Sequence, residues 1–123
     1  MRTLLVDDDV RFRRFTKGIL SNEPKIEVIG EAGNGEEAIF KARELCPELV
    51  LMDLRMPTMN GLDATRQLKK EMPELLVLIL TIFDMEEYRE AAKTAGAVNF
   101  ILKKSINEEL IPAIREAFES RDA

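Results

Sequence analysis

The chain has 123 residues, with 18 Lys or Arg against 23 Asp or Glu, a formal charge of −5 and no histidine. That length suits one compact domain, and an apolar fraction of 46% is that of a globular chain. The acidic balance argues against unaided binding to nucleic acid. The lone Cys46 excludes an intrachain disulfide, and the missing histidine excludes His-based catalysis and Cys₂His₂-type zinc sites.

The apolar pattern changes period repeatedly along the chain. Leu4 to Val6 is a run of strand type that starts directly after Met1-Arg2-Thr3, with no signal-peptide pattern. Phe12, Phe15 and Ile19 then fall on one helix face. Ile26 to Ile29 predicts a second strand, and Ala38, Ala42 and Leu45 a second helix, with Asn34 and Glu37 at capping-box spacing before it. Leu49 to Met52 follows as a third strand. Leu62, Thr65, Leu68 and Met72 mark a third helix opened by Asn60-Gly61. Leu75 to Leu80 is a fourth strand, and Tyr88, Ala91, Ala92 and Ala95 a fourth helix behind the pair Asp84 and Glu87. Phe100 to Leu102 and the set Leu110, Ile114, Ala117, Phe118 complete the series, with Ser105 and Glu108 again at capping-box spacing. Gly30, Gly33, Gly35 and Gly96 are expected in connections, and Cys46 as a small core residue.

Five strand–helix units predict an α/β fold with a mostly parallel sheet covered on both faces and right-handed crossovers. A single domain is expected over 1–120, with 121–123 as a frayed tail. The longest apolar run, Leu75 to Phe83, is broken by Thr81 and falls short of the ~20 residues of a membrane span, so a cytoplasmic location is expected.

Ligands of open α/β sheets bind at the carboxyl ends of the strands. There the first strand ends in Asp7-Asp8-Asp9, the third in Asp53, the fourth in Thr81 and the fifth in Lys103-Lys104. Asp9 is best explained as a helix N-cap. Asp53 is not, because its helix starts later, near Asn60. Asp7, Asp8 and Asp53 set against Lys103 leave two negative charges, which one divalent cation neutralises. With oxygen ligands only, Mg²⁺ is the physical choice. Gly33-Asn34-Gly35 lacks the residues of a phosphate-binding loop and reads as a capped turn.

Val6-Asp7-Asp8, Met52-Asp53-Leu54-Arg55-Met56-Pro57 with Asn60-Gly61, Leu80-Thr81 and Lys103 together resemble the receiver (phosphoacceptor) domain of bacterial two-component response regulators. Ala95-Gly96-Ala97 and Lys103-Lys104-Ser105 look most like the subgroup that usually carries a helix-turn-helix output domain. The resemblance implies a flavodoxin-like (βα)₅ three-layer sandwich of strand order 2-1-3-4-5. It implies Asp53 as the phosphoacceptor for a sensor histidine kinase, and Mg²⁺ held by Asp7, Asp8, Asp53 and the Arg55 backbone carbonyl. Lys103 and Thr81 would contact the phosphoryl group, and Thr81 with Phe100 would form the switch pair. The surface of the fourth helix, fifth strand and fifth helix would signal to an output domain or downstream protein, and the resemblance allows for a homodimer on phosphorylation. No direct contact of this chain with nucleic acid or membrane is implied.

Three positions depart from the commoner family pattern. Phe100 stands for the frequent Tyr, and reads equally as a switch residue or a core phenylalanine. Ile82 stands for a small residue, either hindering the site or pointing away. Lys104 stands for Pro, which disfavours a cis bond after Lys103. Arg55 and Phe83 border the site and are expected to tune self-dephosphorylation. Arg11, Arg13, Arg14 and Lys17 form either a solvated basic face or part of a kinase-docking surface. Competing functions are a receiver-like interaction module that works without phosphorylation, and a Mg²⁺-dependent phosphohydrolase. The latter needs a second acid/base Asp where this chain has Arg55. A flavodoxin-type electron carrier is disfavoured by the missing flavin phosphate loop.

Overall fold

The computed structural model describes residues 1–122. Its elements alternate as expected: β1 (Arg2–Val6), α1 (Val10–Leu20), β2 (Glu27–Ala32), α2 (Gly35–Leu45), β3 (Leu49–Met52), α3 (Gly61–Glu71), β4 (Leu76–Thr81), α4 (Glu86–Ala95), β5 (Asn99–Leu102), a 3₁₀ turn (Lys103–Ser105) and α5 (Ile106–Asp122). The five strands pair in parallel in the order β2-β1-β3-β4-β5. No helix is long and apolar enough to cross a membrane among the described residues.

Strand alternation builds two cores, one on each face of the sheet. Leu4, Val6, Val50, Met52, Val77 and Ile79 point one way and pack with Ala38, Ala42, Ala64, Leu68 and Ala92 of α2, α3 and α4. Leu5, Leu49, Leu51, Leu78 and Leu80 point the other way, against Leu20 of α1 and Leu110 and Ile114 of α5. Because β3 and β4 are covered on both faces, their apolar runs are continuous rather than alternating.

Several local expectations need correction. Gly30 lies inside β2, not in a connection, where the register with β1 shifts between Thr3 and Leu4. A Cβ there would meet the end of the Leu45 side chain, Cδ1 at 2.8 Å, so glycine leaves room for that leucine against the strand. On α1 the buried stripe runs through Thr16 and Leu20, and Phe15 is exposed. Thr16 is accommodated because its hydroxyl donates to the Phe12 carbonyl at 2.9 Å. Asp84 does not cap α4. The helix opens one residue later at Met85, without a side-chain cap. Ser105 sits in the 3₁₀ turn that runs straight into α5, so it does not open a helix. Cys46 is exposed and ends α2 in the left-handed region, φ 50°. Helix α5 continues through Asp122, and Ala123 lies outside the described residues. All described peptide bonds are trans, Lys103–Lys104 included.

Candidate functional site

The sheet ladder delivers the acidic residues to one place. Beyond the last residue of β1, the Asp7 amide donates to the Ala32 carbonyl at 3.0 Å, and beyond β3 the Asp53 amide donates to the Val6 carbonyl at 2.9 Å. The backbone thus carries both carboxylates just past the strand ends, side by side. Asp7 and Asp53 are 5% and 7% exposed, whereas Asp8 is exposed. Carboxylate oxygens of Asp7, Asp8 and Asp53 all lie within 4.8 Å of one another.

Lys103 enters this cluster from the end of β5. Its Nζ lies 2.6 Å from Asp7 Oδ2 and 3.3 Å from Asp53 Oδ2. Burial alone would lower the Lys103 pKa, but the close pairing with Asp7 and the charges of Asp53 and Asp7 outweigh it and hold the ammonium above its usual value. Burial pushes the Asp53 carboxyl up from its ordinary value, Lys103 opposes that, and the neighbouring Asp7 charge adds to it. Asp53 Oδ1 also accepts from the Leu54 amide at 2.8 Å.

The donor set is entirely oxygen and hard, which fits a magnesium ion and not zinc or copper. Asp7 Oδ2 is fully buried and has no well-angled hydrogen bond among the described residues, so the ion pair with Lys103 is what stabilises it. A carboxylate oxygen in that condition favours a second cation nearby.

The loops around the cluster are tightly built. Asp7 Oδ1 accepts from the Asp9 amide at 2.8 Å, and Asp9 Oδ1 in turn caps α1 through the amides of Arg11 (2.9 Å) and Phe12 (3.2 Å), as its sequence position suggested. Asn34 and Asn60 cap α2 and α3 by accepting from Glu37 and Asp63, each at 2.9 Å. Gly33-Asn34-Gly35 is indeed a capped turn, and its glycine has a further reason. The Gly35 amide donates to the Met59 carbonyl at 3.0 Å, and a Cβ there would sit 2.7 Å from that oxygen. The contact braces the loop after Asp53, in which Thr58 adopts φ 69°.

Of the other expected site residues, Thr81 is fully buried at the end of β4, where its Oγ1 accepts from the Phe83 amide at 3.3 Å. Phe100 on β5 is half-buried, with the Arg89 guanidinium 4.7 Å from its ring centre. Arg55 is exposed, and its guanidinium lies 5.0 Å from the Phe83 ring, which itself packs on Tyr88 at 5.6 Å. Ile82 points outward, 69% exposed.

Three contacts at the site were not legible in the sequence. Arg13 is not part of a solvated basic face: its Nε donates to Glu31 Oε1 at 2.9 Å and its Nη1 to the Asp7 carbonyl. The Phe12 ring lies under Lys103 Nζ, 4.1 Å from its centre. Gly61 meets the Asp53 carbonyl so closely that no side chain fits. Only Gly61 left a trace in sequence, as part of Asn60-Gly61. A Phe and an Arg on the first turns of a helix carry no mark of a particular partner.

A profile described as "Response regulator receiver domain" matches residues 3–115. The chain is 44% identical over 118 residues to the response regulator protein VraR of Staphylococcus aureus, which covers 94% of this chain and 56% of VraR. It therefore spans about half the length of the curated relatives it matches. Among solved structures, the response regulator domain of Thermotoga maritima CheB superposes with a TM-score of 0.90 at 32% identity, over 97% of this chain and 96% of that one. A LuxR-family two-component response regulator from Aurantimonas sp. SI85-9A1 superposes with a TM-score of 0.93 at 32% identity, over 98% and 86%. The strand order, the acidic cluster facing Lys103 and these similarities agree: the chain belongs to the response regulator receiver domain family, the signalling domains of two-component systems.

Proposed function

We propose that Asp53 accepts a phosphoryl group from a phosphohistidine on a partner sensor kinase, and that the modified domain passes the signal on by protein contact. Lys103 carries this assignment, because its Nζ sits within reach of both Asp7 and Asp53 at the end of the sheet. An ionised carboxylate is a nucleophile without a general base. One Asp53 oxygen bonds phosphorus, the P–N bond of the phosphohistidine breaks, and the electron pair stays on the imidazole nitrogen. The product is an acyl phosphate.

Catalysis of such a transfer consists mainly of positioning and charge neutralisation. Lys103 pairs with a phosphoryl oxygen, and the buried Thr81 hydroxyl turns to donate to another. Asp7, Asp8, Asp53 and the Arg55 carbonyl would hold Mg²⁺, which when bound neutralises developing negative charge on the phosphoryl oxygens.

Phosphorylation takes Asp53 from one negative charge to about two and adds acceptor oxygens. Inward movement of Thr81 then leaves room for Phe100, whose departure from Arg89 alters the α4-β5-α5 surface. That surface addresses an output domain or downstream protein and supports a homodimer. Similarity to structures titled as LuxR-family response regulators, one of them DNA-binding, supports a transcriptional output exerted by a DNA-binding domain, with residues 1–120 acting as one cytoplasmic receiver unit. The test is incubation with Mg²⁺ and acetyl phosphate, followed by intact-mass measurement. One added phosphoryl group is expected in the wild type and none in Asp53→Asn; an unmodified wild type refutes the proposal.

A further inference from the structure

Lys103 has a third partner besides the two carboxylates. Its Nζ lies 4.1 Å from the centre of the Phe12 ring, on the first turn of α1. We infer that Phe12 is a positioning residue for phosphotransfer, its aromatic face holding the Lys103 ammonium in line with Asp53; the inference rests on the proposed role of Asp53.

The surrounding contacts form a closed circuit. Lys103 Nζ lies 2.6 Å from Asp7 Oδ2, and Asp7 Oδ1 accepts from the Asp9 amide at 2.8 Å. Asp9 Oδ1 accepts from the Phe12 amide at 3.2 Å, and the Phe12 ring returns to Lys103. The cap that starts α1 therefore also fixes where the ring sits. Phe15 leans on Phe12 with ring centres 6.1 Å apart, supporting it from the solvent side.

The chemistry suits the task. A lysine ammonium has a flexible four-carbon stem and needs restraint to act as a directed charge. Asp7 and Asp53 restrain it, but each also cancels part of its charge. An aromatic face attracts the cation through the ring quadrupole and leaves the net charge intact for an incoming phosphoryl oxygen. The side chain of Lys103 is only 14% exposed, so the attraction acts with little water between.

The test compares Phe12→Leu, which removes the π face, with Phe12→Tyr, which keeps it. Lysine labelled with ¹³C at Cε reports the ring by NMR, because a face-on aromatic shifts the Lys103 ε-protons upfield. Phosphoryl uptake from acetyl phosphate with Mg²⁺ gives the rate. The expected result is an upfield Lys103 signal in the wild type and in Phe12→Tyr that is lost in Phe12→Leu. Uptake should slow by about three- to tenfold in Phe12→Leu and stay within about twofold of wild type in Phe12→Tyr. Equal rates in all three proteins, equal slowing in both variants, or no upfield signal in the wild type would each overturn the inference. A wild type that takes up no phosphoryl group refutes the role of Asp53 instead, and is recognised separately because the NMR signature does not depend on phosphorylation.

Discussion

Gly61 lies against the backbone of Asp53: a Cβ at position 61 would come within 1.8 Å of the Asp53 carbonyl oxygen. The Gly61 amide meanwhile donates to the Leu54 carbonyl at 2.7 Å. The start of α3 thus clamps the two residues that end the third strand's run. Substitution by Ala must displace either the helix or the proposed phosphoacceptor. Gly61→Ala is expected to cost at least about 2 kcal/mol, the upper part of the range for overpacking, because the obstructing atom is backbone. Urea unfolding checks the cost, and phosphoryl uptake should fall with it.

Asp53 provides a charge test. Its folded-state pKa lies above the unfolded value, first because it is buried, with Lys103 opposing and the Asp7 charge reinforcing the shift. A carboxyl raised in this way costs stability when ionised. The cost is complete above the folded pKa and fades as pH falls towards the unfolded value of about 3.9. Asp53→Asn should therefore have a higher Tm than wild type at pH 7 without Mg²⁺, with the gap closing in acid. Adding Mg²⁺ should raise the wild-type Tm more than that of the variant, since binding stabilises only the state that holds the ion. Thermal scans at pH 7 and near pH 4 check both statements.

Arg13 and Glu31 test whether the first strand's end is braced from α1. Burial would raise the Glu31 pKa, but hydrogen bonds from Lys17 and Arg13 lower it overall. A lowered carboxylate pKa gives stability that is present above the unfolded value and lost as pH falls through the folded one. Arg13→Ala should cost about 1–2 kcal/mol at pH 7, discounted for the partial exposure of Glu31, and less in acid. It should also weaken Mg²⁺ binding, because Arg13 donates to the Asp7 carbonyl. Chemical denaturation and Mg²⁺ titration separate the two effects.

Phe83 and Arg55 are stacked beside the site, the guanidinium 5.0 Å from the ring centre. The proposed role of the pair is to limit the access of water to a phosphoryl group on Asp53. Phe83→Ala is expected to shorten the phosphoryl half-life by roughly two- to fivefold, the equivalent of losing one exposed cation–π contact. Arg55→Ala should act in the same direction. Decay of phosphoprotein measured by gel or mass, unchanged in both variants, would remove this pair from the account.

The strands and the acidic cluster were readable because burial on both faces leaves a continuous apolar run, and each run stops at a residue that cannot be buried unpaired. Asp7, Asp53 and Lys103 were found by that rule. Helix phase was harder. Phe15 fits the same spacing as Phe12 and Ile19, yet faces outward, because Thr16 can be buried once its hydroxyl bonds back to Phe12. Helix starts were read correctly where the side chain reaches the amide, as at Asn34 and Asn60, and wrongly at Asp84, where the helix begins one residue later. Gly30 was misplaced because a strand bulge and a loop use glycine for similar reasons. The contacts of Phe12 with Lys103 and of Arg13 with Glu31 were invisible because each joins segments distant in sequence, and nothing local encodes them.

The measurement that bears most directly on the central claim locates the phosphoryl group. After acetyl phosphate and Mg²⁺ treatment, borohydride reduces an aspartyl phosphate to homoserine, which peptide mass spectrometry assigns to a position. Conversion at Asp53, with Asp7 and Asp8 untouched and none after chelation of Mg²⁺, is the predicted result. Conversion at another residue, or none at all, would contradict the account.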